Sequence, residues 1–220
     1  GNQPRPTSAA GSQKIAPAAQ ASATAATEPP RAWPVIDAWS RGIGGQPGGM
    51  LARGAMNRDA AHWAAVEEAT ELLHEERFHE ALQVLRDVIR ADPGNPYAFF
   101  FLGQALYEVG ELQPARDAYR AVLRLAPEHL GARVSLIHVL RKLGETRDAV
   151  SEGLAALEQA PTDGDVLYAL GLAYLARGDN VAARRHLEAF LRANPELETR
   201  IEVEGLLAAM EGPGPANDEN

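Results

Sequence analysis

The 220-residue chain has no cysteine, two lysines against nineteen arginines, and no run of eighteen consecutive apolar residues. The lack of cysteine removes disulfides, thiolate metal sites and cysteine nucleophiles together, and leaves the redox compartment open. Without a long apolar run, no segment is fitted to span a bilayer as a helix. Positive charge is scarce as well: 21 basic side chains stand against 30 acidic ones, a net charge of −9. The imbalance is uneven. Residues 1–56 hold five basic and two acidic side chains, a local +3, so the remainder carries −12. An acidic body repels phosphate backbones, which argues against a nucleic-acid partner. Its simplest reading is a solvated surface.

Large apolar side chains are nearly missing from residues 1–30, which are mostly Ala, Pro, Gln, Ser and Thr. Such a stretch cannot bury enough surface to offset its ordering entropy. Residues 1–56 contain 8 Gly and 7 Pro and read as a low-complexity, irregular arm. Residues 31–43 differ, because they carry Trp33, Ile36, Trp39 and Ile43. One short helix would place Ile36, Trp39 and Ile43 on a single face. Two readings are open: a docking segment that folds on a partner, or a segment that folds back on its own chain. The run from Gly42 to Gly49 is a spacer rather than a phosphate loop. No strand precedes it, no Lys-Ser or Lys-Thr follows, and Pro47 stands where a dinucleotide fingerprint needs glycine.

From residue 57 onward a period appears. Pro93, Pro127, Pro161 and Pro195 are 34 residues apart, and Ala81, Ala115, Ala149 and Ala183 stand twelve residues before them. Gly110, Gly144 and Gly178 recur seventeen before their prolines, and Leu102-Gly103 is repeated as Leu170-Gly171. A fixed period of this length marks a solenoid of repeated supersecondary units. Helices are expected near 60–75, 79–91, 96–109, 113–125, 130–143, 147–159, 164–177 and 181–193. A capping helix is expected near 197–211, followed by a polar tail, 212–220.

On these residues the chain resembles the tetratricopeptide repeat family, with repeats at 62–95, 96–129, 130–163 and 164–197. The second repeat has Phe99, Leu102, Gly103, Ala115, Tyr119 and Pro127. The fourth has Leu167, Leu170, Gly171, Tyr174, Ala183, Phe190 and Pro195. The first departs, with Glu68-Ala69 for Leu-Gly and Glu76 for the turn glycine. The third has Ile137 for the small glycine and Gly153 for the aromatic, which makes its packing the least secure. The resemblance implies an all-α fold: a right-handed α-solenoid of four helical hairpins with a C-terminal cap, over 57–211, preceded by the irregular arm.

In this family the first helix of each hairpin lines a concave groove. That implies a lining of Trp63, Val66, Thr70, Leu73, Tyr97, Phe100, Gln104, Tyr107, Val134, His138, Arg141, Tyr168, Leu172 and Leu175. Arg141 and Lys142 form a basic spot. The list is rich in aromatic and apolar side chains, which marks either a contact surface or a thickened core between hairpins. Phe99, Phe100 and Phe101 cannot all face one core, because successive helical residues point about 100° apart. A family branch that grips C-terminal carboxylates uses lysine and asparagine where this chain has Val66, Thr70, Phe101, Gly131 and Ser135, so that activity is not expected.

Chemistry has little support. His74 and His79 are five apart across an expected turn, not four apart on one helical face as a zinc site needs. His129 and His186 read as surface residues, and Glu67, Glu68, Glu71 and Glu75 as a solvated face. Neither catalysis nor a cofactor or metal is expected.

The resulting expectation is a non-enzymatic scaffold, an accessory subunit that binds an extended or helical apolar protein segment through its groove and arm. A client-holding assembly or secretion chaperone, and a regulatory subunit for an enzyme on another chain, are the alternatives. The arm resembles the tether that follows a cleaved secretion signal or a lipid anchor. With the arginine-rich, alanine-rich composition of a GC-rich bacterium, this points to the periplasm or cell envelope, the cytoplasm being the alternative.

Overall fold

The computed structural model describes the backbone of residues 50–193 and 195–211 and the side chains of 57–193 and 195–210. Trp33, Ile36, Trp39 and Ile43 of the arm, and the 212–220 tail, lie outside the described residues. Among the described residues every regular element is helical. The elements are α1 (Met50–Ala64), α2 (Glu67–His74), α3 (Phe78–Ala91), α4 (Pro96–Glu108) and α5 (Leu112–Leu125). Then follow α6 (Leu130–Lys142), α7 (Thr146–Gln159), α8 (Gly164–Arg177), α9 (Asn180–Arg192) and α10 (Leu197–Glu211).

From α2 onward each helix packs on its neighbours in sequence, α1 packs on α4, and first helices also touch one another across hairpins, α2 on α4 and α6 on α8. This nearest-neighbour stacking is the solenoid the period predicts. Helices α3 to α10 begin and end within one residue of the expected bounds.

The first hairpin differs from expectation. The helix expected at 60–75 is two pieces. One starts at Met50, inside the arm expected to be irregular, and the other follows a break at Ala65–Val66. At the break the Val66 amide donates to Trp63 O rather than four residues back, at 2.9 Å, with φ −110° and ψ 0°. Three contacts hold α1 on the start of the second hairpin and the turn before it instead. The Tyr97 hydroxyl donates to Asp59, Asn95 Nδ2 donates to His62 O at 2.9 Å, and His62 Nε2 lies 2.9 Å from Asp92.

The period also writes the helix ends. Asn95, His129 and Asp163, each 34 apart, cap α4, α6 and α8 through side-chain acceptors: Oδ1, Nδ1 and Oδ1. His129 is therefore no plain surface residue. It is half-buried and stacks on Phe100 with ring centroids 5.0 Å apart. His186 is likewise half-buried and stacks on Tyr174 at 5.4 Å.

Gly110, Gly144 and Gly178 end first helices at φ 82°, 77° and 84°, where a Cβ is disfavoured. The following amides reach back to close the turn: Glu111 to Leu106 O at 2.8 Å, Glu145 to Leu140 O at 2.9 Å and Asp179 to Tyr174 O at 3.0 Å. Glu76 makes the same turn without being glycine, at φ 58°.

A continuous apolar core runs from Val66 to Ala173, with Leu85, Leu136, Ile137, Leu140 and Leu170 fully buried. It passes into a C-terminal core of Leu167, Leu187, Phe190 and Val203, on which α10 lies. The third repeat, expected to pack least securely, is closed. Ile137 is fully buried, and Gly153 is covered by Leu170.

Candidate protein-binding groove

The expected groove residues fall into two groups. Val66, Leu73, Tyr97, Val134, His138 and Leu172 are buried. Trp63, Thr70, Phe100, Gln104, Tyr107, Arg141, Tyr168 and Leu175 are half-buried. The first group is floor and the second is the accessible part.

The accessible part is not uniform. At the N-terminal end Trp63 sets its edge on Tyr97 and Phe101, with centroids 5.8 Å and 5.9 Å away, which joins α1 to α4. Phe100 packs against Phe101, Tyr119 and His129, so its ring serves the junction between hairpins. Of the three consecutive phenylalanines, only Phe101 is fully in the core, while Phe99 and Phe100 are half-buried. These N-terminal rings thus spend most of their surface on one another.

Further along, rings and charges meet. Lys142 Nζ lies 4.3 Å from the centroid of the Tyr107 ring, a cation–π contact between α6 and α4. Burial raises the pKa of the Glu108 carboxyl, and Lys142 opposes that rise. The His138 ring stands 6.2 Å from that of Tyr168, which in turn lies 5.2 Å from Phe190. Burial, reinforced by Arg141 and Lys142, lowers the pKa of His138 to about 3, so it is a neutral floor residue at physiological pH. Arg141 is close enough to Tyr168 to act on its hydroxyl. Its own Nε is buried and makes no hydrogen bond among the described residues. The Tyr168 hydroxyl donates to Glu202 Oε1 at 2.9 Å, which ties α8 to α10.

The structure therefore brings Tyr107, His138, Arg141, Lys142 and Tyr168 into one stretch on α4, α6 and α8. Trp63, Val66 and Tyr97 belong to a separate aromatic junction at the N-terminal end. Glu108 and Glu202 were absent from the sequence reading. Glu202 was within reach of it, since it stands 34 residues after Tyr168, at the same phase on the next first helix.

Rings on α4 and α8 with a half-buried and an exposed cation on α6 between them suit the gripping of a chain. Among the described residues no group of His, Cys, Asp or Glu could hold a metal ion. No described helix is long and apolar enough to cross a membrane.

Solved structures support the architecture. Desulfovibrio magneticus RS-1 MamA, residues 41 to the end, is 24% identical, with 68% of this chain covering 83% of that one at a TM-score of 0.61. Pseudomonas aeruginosa PilF is 22% identical, with 70% of this chain covering 69% of that one at 0.61. YrrB, described as a tetratricopeptide repeat protein with an unusual peptide-binding site, is 21% identical, with coverages of 67% and 74% at 0.58. At these identities the likeness is one of fold. No curated protein matches the chain. The family model for the tetratricopeptide repeat matches residues 66–129 and 134–198, which is more than half of the sequence. With its 34-residue phase, paired helices and left-handed turns at the matching positions, the chain belongs to the tetratricopeptide repeat family.

Proposed function

We propose that the chain is a non-enzymatic scaffold, an accessory subunit that holds an apolar segment of a partner protein along its first helices. The observation that carries this reading is the stretch of Tyr107, Arg141, Lys142 and Tyr168. Two rings and two cations lie side by side on the first helices α4, α6 and α8 of three consecutive hairpins. The solved YrrB structure supports peptide capture as a use of this fold. The composition of the arm supports a tethered position in the periplasm or cell envelope.

The test is affinity purification from the native source, followed by salt washing and size exclusion. A stoichiometric partner that co-migrates supports the subunit reading, and a changing set of clients overturns it in favour of a chaperone. Tyr107→Ala combined with Lys142→Ala should lose that partner while the helical circular dichroism is kept. Retention of the partner by this variant would remove the groove from the proposal.

A further inference from the structure

Helix α10 continues the repeat phase. Gly205 stands 34 residues after Gly171 and three periods after Gly103. At the two earlier positions the glycine receives a bulky side chain sixteen residues further on, from the second helix of the same hairpin. A Cβ on Gly103 would stand 2.8 Å from the Tyr119 ring, and one on Gly171 would stand 2.7 Å from Leu187 Cδ2. A Cβ on Gly205 would meet nothing within 4 Å. One face of α10 is seated: Val203 is buried, and Leu207 and Met210 pack on the C-terminal core. The face that would receive a second helix is open, with Leu197 70% and Ile201 59% exposed and Ala208 exposed beside them. Leu197, Ile201, Gly205 and Ala208 follow helical spacing, so they form one stripe.

We propose that this stripe seats residues 34–43 of a second copy of the chain, in the place a second helix would take. The arm supplies the matching shape. In a helix over 34–43, Ile36, Trp39 and Ile43 would share one face with Pro34 in its first turn, and a ring on Gly205 would repeat the Tyr119-on-Gly103 contact. Charge does not oppose the contact: residues 34–43 hold one basic and one acidic residue, Arg41 and Asp37, whereas α10 holds one basic and four acidic. Reach selects the second copy. Ile43 is seven residues from Met50, a span of at most about 25 Å. Helix α1 sits on α4 of the second hairpin, and the three first-helix intervals from α4 to α10 at about 9 Å amount to roughly 27 Å, beyond that span. The contact joins head to tail. It does not rest on the groove reading.

Two full-length variants test it by sedimentation over a range of concentrations. Trp39→Ala weakens the arm and Ile201→Glu blocks the stripe, and the exposure of Ile201 leaves folding intact, which circular dichroism checks. The unaltered chain should exceed the monomer mass of 23.6 kDa as concentration rises. Each variant alone should stay at the monomer mass. An equimolar mixture should recover a dimer, because one variant supplies an arm and the other a stripe. A monomeric unaltered chain at all concentrations would overturn the proposal and favour docking within one copy. Self-association of Trp39→Ala alone would also overturn it, in favour of stripe against stripe. So would a mixture that stays monomeric.

Discussion

Gly153 on α7 lies directly beneath Leu170 on α8: a Cβ at Gly153 would stand 2.6 Å from Leu170 Cδ1. One period away on either side, the same position holds Tyr119 and Leu187, which close over Gly103 and Gly171. In the third hairpin the sizes are exchanged, with Ile137 fully buried where the glycine would be. Volume is conserved while its owner changes, and cores tolerate that exchange better than a change of total volume. Restoring the family pattern one residue at a time should therefore harm the fold. Ile137→Ala should cost about 2–5 kcal/mol through the cavity it leaves. Gly153→Ala should cost about 1–3 kcal/mol through overpacking, despite its better helix propensity. Urea unfolding of both variants checks this, and a stabilised Gly153→Ala would refute it.

Glu76 offers the opposite case. It holds φ 58° at the turn where Gly110, Gly144 and Gly178 hold φ 82°, 77° and 84°. A side chain in the left-handed region costs about 1–2 kcal/mol relative to a residue without a Cβ. Glu76→Gly should raise stability by about 1 kcal/mol, read as a higher thermal midpoint, because exposed Glu76 contributes no core contact. It should also relieve the like-charge repulsion that Glu76 exerts on Glu108.

Most of the fold was legible because the 34-residue phase is carried by residues with one job each: prolines between hairpins, glycines at left-handed turns and small alanines where helices press together. The break at Val66 was not legible. It follows from contacts of Asp59 and His62 with Tyr97, Asp92 and Asn95, partners about 30 to 38 residues ahead that local periodicity does not register. The expected groove lining was a list of positions, not a surface. Phase told which residues face the first-helix side, but Phe100 turned to His129 and Tyr119, and Tyr97 was covered by Trp63. Ring contacts of that kind depend on which large neighbours happen to meet.

Asn95 joins the broken first helix to the second hairpin. It is fully buried, accepts from the Tyr97 and Ala98 amides at 3.0 Å and 3.2 Å, and donates to His62 O at 2.9 Å. Asn95→Ala removes the cap, worth about 1 kcal/mol, and also leaves buried backbone groups unsatisfied at about 1–3 kcal/mol. Asn95→Asp keeps the cap acceptor but buries a carboxylate and sets its second oxygen against His62 O. Both changes should therefore lower the urea midpoint. In hydrogen exchange both should expose α1 amides before those of α5, since α1 loses its tether to α4.

His138 makes stability depend on pH in a defined direction. Its ring is 3% exposed, and burial with help from Arg141 and Lys142 lowers its pKa to about 3. In the unfolded chain the value is about 6.5. Between those values the unfolded chain binds a proton that the folded chain does not, so stability is full above about pH 6.5 and falls as pH drops towards 3. The limiting slope is about 1.4 kcal/mol per pH unit for one such group. His129 and His186 are also shifted downward, by burial, and act in the same sense. His138→Met keeps an apolar side chain in the floor and removes the titration. From pH 6.5 to 4.5 the unaltered chain should lose up to about 2–3 kcal/mol more than this variant, measured by urea unfolding at each pH. Parallel losses in the two proteins would mean that His138 takes up its proton in the folded state, with the ring reaching water through the stretch between Arg141 and Tyr168.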